Sequence, residues 1–187
     1  MKKSNLRKFD PHKIALLERE MWEAYYGHNF LKLSLLLVKL AHVFFQSNYI
    51  HSVVVAYYMA RAAIDFRSHK GREDHQRIIK NLTKAYKIIS ENNVEKFDYR
   101  KTAELELGWW LVDRYPERYQ VSRRDALASH MASIYGVPAM SLMNYAEYRA
   151  LAMETQDKAE EEKTEADWDK IESLLKTSFG ALHKAVQ

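Results

Sequence analysis

FDPHKIALLEREMW, from Phe9 to Trp22, returns 88 residues later as FDYRKTAELELGWW, from Phe97 to Trp110, with seven of fourteen positions identical. Unrelated segments of ordinary composition would share about one. The same shift carries His42 onto His130, Tyr57 onto Tyr145, and Arg61 with Ala62 onto Arg149 with Ala150. The chain therefore reads as two similar halves, about 9–92 and 97–187, aligned without internal gaps over most of each half, with a few extra residues needed to match the last helix. Asp10 and Asp98 stand ahead of matching apolar-periodic runs, where a carboxylate caps the free amides of a first helical turn. Pro11 fits that first turn because its missing N–H would have had no partner there.

Composition points the same way. The 187 residues, 47% of them apolar or aromatic, can bury one substantial core and give little reason to expect two independent domains. Only five Gly and three Pro are present, too few for the turns of a sheet protein. The expected fold is all-α: a single domain over 1–187, an internally duplicated bundle of about seven or eight helices with pseudo-two-fold symmetry, in which each half covers the apolar face of the other. The run FLKLSLLLVKLAHVFF, Phe30 to Phe45, is shorter than the roughly 20 residues of a membrane span and holds Lys32, Lys39 and His42, so it reads as a buried helix and no membrane span is expected. From the stretch before it and on through it, Leu17, Met21, Ala24, His28, Leu31, Leu35, Val38, His42 and Phe45 recur at steps of three and four, the seam of a helix packed inward.

Several function classes fall away. With no Cys, disulfides, thiolate metal sites and cysteine nucleophiles are excluded, which fits a cytoplasmic protein. The basic MKKSNLRKF start leads into a helix signal, with no apolar stretch of an export signal behind it. Scattered glycines build no phosphate-binding loop, and the serines near His130 lack a glycine elbow. Arg77, Lys80, Lys84 and Lys87 form a short basic stripe, and 154–169 is rich in acid. The net charge of +4 is modest and no aromatic series interleaves the stripe, so nucleic acid is not an expected partner.

The residues that the repeat keeps are the candidate site: Glu18, Trp22, Tyr57 and Arg61, with their counterparts Glu106, Trp110, Tyr145 and Arg149. A carboxylate among aromatics needs a partner or a proton. The expectation is two equivalent ion pairs, Glu18 with Arg61 and Glu106 with Arg149, forming a structural polar core beside an aromatic wall. The function expected is a small-ligand-binding or protein-interaction module, with a homo-oligomer or a protein as partner and no cofactor. The alternative is a metal-dependent enzyme of the di-iron kind, with iron or manganese held by Glu18, His42, Glu106 and His130, since such bundles draw Glu and His from facing helices. No Glu here is followed by His at the third position, however, and no HExxH occurs. A regulator docking through the basic stripe is a third class.

Overall fold

Seven of the eight helices among the described residues begin at a side-chain cap, and these caps divide the chain. The protein is seen here as a computed structural model describing residues 3–187; Met1 and Lys2, the start of the basic run, lie outside the described residues. Asp10 caps α1 (Pro11–Tyr26), Asn29 caps α2 (Phe30–Phe44), Asn48 caps α3 (Tyr49–Ser68) and Asp74 caps α4 (His75–Glu91). Asp98 caps α5 (Tyr99–Arg114), Ser122 caps α6 (Arg123–Tyr135) and Asp167 caps α8 (Trp168–Ala185). The exception, α7 (Met143–Glu162), grows out of a 3₁₀ turn at Ala139–Leu142 and needs no side-chain cap. The Asp10 and Asp98 carboxylates each accept from the amides two and three residues on.

Connections are short, so each helix packs on its predecessor and its successor, and α8 closes back on α1. The expected all-α bundle is thus what the chain forms. Ile14, Val55, Ile78, Leu82, Ala103, Tyr145, Phe179 and Leu182 lie fully inside it. The amino-terminal segment closes one end. Ser4 N–H donates to Asn92 O, and Val94 N–H donates to Ser4 O, each at 2.9 Å. Arg7 then reaches Glu95, Tyr135 O and Val186 O, fastening the ends of α6 and α8. No described helix is long and apolar enough to cross a membrane.

One expectation fails at this level. The seam through Leu31 and Leu35 does not point inward: these side chains are 76% and 66% exposed, while α2 buries Leu36, Ala41, Val43 and Phe44. The reason is positional. Helix α2 packs mainly on α1 and α3, with Phe44 at its end reaching Phe179 of α8, so a helix apolar on more than one side must show one of its faces to solvent.

Candidate functional site

Glu106 is the most heavily hydrogen-bonded side chain of the interior. Trp110, four residues on, donates its indole N–H to Oε1 at 3.1 Å, and Trp109, three residues on, donates to Oε2 at 3.1 Å. One helical turn thus aims two indoles at one carboxylate. Tyr86 of α4 donates its hydroxyl to Oε2 at 3.0 Å, and His130 of α6 places Nε2 2.9 Å from the same oxygen. Tyr86 Oη and His130 Nε2 are themselves 2.9 Å apart. Burial alone would raise the Glu106 carboxyl, but the His130 ring and the hydrogen bonds that converge on it hold it below the usual carboxylate range. Tyr86 moves the other way, raised by burial and then by the adjacent Glu106 charge. Glu106 therefore stays ionised and Tyr86 stays a donor.

A second buried charge lies on α1. Glu18 is 4% exposed and meets Arg149 of α7, with Nη1 2.5 Å from Oε1. The approach lies off the N–H axis, so the pair is chiefly coulombic. Burial works against the Arg149 charge, but Glu18 more than offsets it and holds the guanidinium firmly protonated. The same guanidinium lies 5.7 Å from the Trp22 ring. Tyr145, one turn before Arg149, is buried, and burial raises its hydroxyl.

The expected pairings were therefore crossed. Glu18 pairs with Arg149 of the other half instead of Arg61, and Glu106 takes Tyr86, two indoles and His130 instead of Arg149. Tyr57 and Arg61 lie on the surface. The cause is a difference in helix spacing that a constant shift does not follow. Helices α1 and α5 begin 88 residues apart, but the connection 115–122 is longer than 27–29, and α3 and α7 begin at Tyr49 and Met143, 94 apart. Six extra residues turn a helical position by about 120°, which carries Tyr57 and Arg61 off the face that Tyr145 and Arg149 occupy.

The four side chains weighed as metal ligands also part company. Glu106 and His130 touch, whereas Glu18 is held by Arg149, and His42 has Nδ1 2.5 Å from Ser47 O while stacking on Tyr49. Among the described residues no three Asp, Glu or His side chains gather in a way that would hold a metal ion. Two surface clefts exist, about 790 Å³ near Tyr119, Arg123 and Asp157 and about 280 Å³ near Ser47, Asn48 and His51; neither is lined by Glu18, Glu106, Tyr86 or His130.

What the structure offers to the outside is apolar. On α3, Ile50 is 76%, Tyr57 57% and Ile64 58% exposed, with Tyr49 and Val53 beside them. On α2, Phe30, Leu31 and Leu35 are exposed. Ile50, Val53 and Tyr57 run at steps of three and four with Ile64 two turns further on, and Leu31 and Leu35 lie four apart, so each set forms one stripe along its helix, flanked by Tyr49 and Phe30. The His42–Tyr49 stack, with centroids 4.2 Å apart, joins the end of one stripe to the start of the other. The charges on this face are Lys32, Lys39, Arg61 and Arg67; the one acid of α2 and α3, Asp65, is buried and paired with Arg77 at 3.0 Å. Counting from the first residues of α3 and α7, Ile50, Val53, Tyr57, Arg61 and Ile64 fall level with Asn144, Glu147, Leu151, Thr155 and Lys158, a mostly polar set. No protein-family model, curated protein or solved structure matches the chain, so its function is argued from this geometry.

Sequence reasoning set Glu106 among aromatics with Trp110 and grouped it with His130 as a candidate metal ligand, but it missed Tyr86 and Trp109 as partners of the same carboxylate. The i, i+3 and i+4 spacing of Glu106, Trp109 and Trp110 was the signal available for the indoles. The apolar face also had a signal, a second 3–4 seam on a helix already supplied with one.

Proposed function

We propose that the protein is a protein-interaction module whose working surface is the apolar face of α2 and α3, and whose buried Glu, His, Tyr, Trp and Arg groups are structural. The observation that carries this reading is the contrast in exposure. Eight large apolar side chains of the neighbouring helices α2 and α3, each offering on the order of 100 Å², face water, together above the ~300–600 Å² of the largest patch on a typical monomer. The polar network lies largely inside, and its two indoles, the Tyr86 hydroxyl and the His130 ring all converge on the Glu106 carboxylate. A closed network of this kind fixes how helices meet. The absence of Cys fits a cytoplasmic site of action.

The two halves are best explained as an internal duplication with a pseudo-two-fold axis. Matching helices have matching neighbours, α1 with α8 and α2 as α5 with α4 and α6. Near the expected axis, residues 88 apart meet each other: Arg7 with Glu95, and Ser4 with Asn92. On this reading the polar character of one outer face was exchanged for an apolar one in a single half, which gave the molecule one docking side.

The test is a photoactivatable cross-linking residue placed in turn at Leu35, Ile64 and Thr155 in cells that make the protein. Discrete adducts through 35 and 64, and none through 155, are the expected result. No adduct at any site, or equal adducts at all three, would overturn the reading.

A further inference from the structure

We propose that the α2–α3 face is covered by a second copy of this chain, with α3 packing antiparallel on its equivalent about a two-fold axis at Tyr57. The proposal rests on the interaction reading above and names its partner. Area is the first argument. A standard interface buries ~800 Å² from each partner, and eight side chains of on the order of 100 Å² each supply about that amount. The spacing is the second. Ile50, Val53, Tyr57 and Ile64 keep the three-and-four alternation of a helix-packing seam, as do Leu31, Leu35, Val38 and His42. A seam of this kind fits the grooves of another helix, whereas a lipid surface demands no such register.

Charge decides the register. Arg61 is the one cation within the α3 stripe and has no exposed acid on α2 or α3 to meet. With the axis at Tyr57, Ile50 lies against the partner's Ile64, and Arg61 lies against the partner's Val53. The two copies of Arg61 are then about 12 Å apart along the helices, beyond the Debye length of about 10 Å at 0.1 M salt. An isologous contact of this form is self-complementary and closes at two copies.

The test uses the purified full chain. Light scattering should give twice the 22.1 kDa chain mass at tens of micromolar, and Ile50→Glu with Ile64→Glu should return it to 22.1 kDa with unchanged helical circular dichroism. Both positions are exposed, so the variant folds. Because the chain has no Cys, Tyr57→Cys reports the axis: it should oxidise to a disulfide-linked dimer at least tenfold faster than Lys158→Cys. A monomer at every concentration overturns the second copy as partner. If that monomer still gives cross-linked adducts of another mass through 35 and 64, the interaction face stands with a different protein on it; if it is retained by vesicles of anionic phospholipid, the face belongs to a membrane surface; with neither, both readings fail. A dimer that survives Ile50→Glu with Ile64→Glu overturns the α2–α3 contact, and one in which Arg61→Cys links faster than Tyr57→Cys overturns the register.

Discussion

Glu106 accepts from two indoles and a phenol and lies against His130, and this arrangement sets what its loss should cost. Glu106→Gln keeps the shape but removes the charge and turns an NH₂ toward groups that are themselves donors. Removing one member of a buried, hydrogen-bonded charge set costs about 3 kcal/mol or more, so its urea-unfolding free energy should drop by about that amount. Glu18 and Arg149 form the second set. Glu18→Leu and Arg149→Met should each be strongly destabilising, and the double variant should recover more than half of the summed loss, read as a coupling energy in a double-mutant cycle. Additive costs would show that the two groups are independent. The pH dependence follows from the depressed carboxyls. Burial disfavours the Glu73 charge, but hydrogen bonds from Tyr115, Gly71 N–H and Arg114 bring its pKa down to about 2. The unfolded chain, titrating near ~4.3, binds the proton more tightly than the folded one. Its contribution is therefore full above about pH 4.3 and is lost as pH falls toward 2, with Glu106 adding to the same slope. Glu73→Gln should flatten stability between about pH 4 and pH 2, as followed by thermal unfolding; an unchanged slope would contradict the assignment.

Helices were the most legible level of the sequence. Asp10 and Asp98 announce their helices because capping is local chemistry, settled by the side chain and the next three amides, and the structure adds Asp74, Ser122 and Asp167 as caps of the same kind. What the sequence concealed was register between helices. The match at a constant shift of 88 was real for α1 and α5, yet the longer connections 115–122 and 136–142 displaced α7 relative to α3, and a displaced helix presents different side chains. Pairing partners are tertiary facts of this kind, which explains why Glu18 and Arg149 were both singled out but wrongly matched. Helix ends carry a prediction of opposite signs. Gly136 ends α6 with φ +64°, and Lys163 ends α7 with φ +55°. The left-handed region costs a side chain about 1 kcal/mol, so Gly136→Ala should destabilise by roughly that amount and Lys163→Gly should stabilise by somewhat less. Unfolding midpoints of the two variants moving in the same direction would contradict this.

Across the whole molecule, the cycle of helices leaves α2 packed mainly on α1 and α3, and its second apolar seam, through Leu31 and Leu35, is exposed. Hydrophobic periodicity reveals that a helix face will be covered without saying whether the same chain covers it. For that reason Leu31 and Leu35 read as core in the sequence and stand in solvent in the fold. The proposed function divides the labour: polar groups inside hold the helices in register, and apolar groups outside meet the partner. The measurement that tests this division most directly is urea unfolding of Glu106→Gln and Leu35→Glu side by side at submicromolar concentration, where association does not contribute. Glu106→Gln should lose about 3 kcal/mol, and Leu35→Glu, between Lys32 and Lys39 on an exposed helix face, should stay within about 0.5 kcal/mol of the parent. A Leu35→Glu as costly as Glu106→Gln, or a Glu106→Gln without cost, would contradict the account.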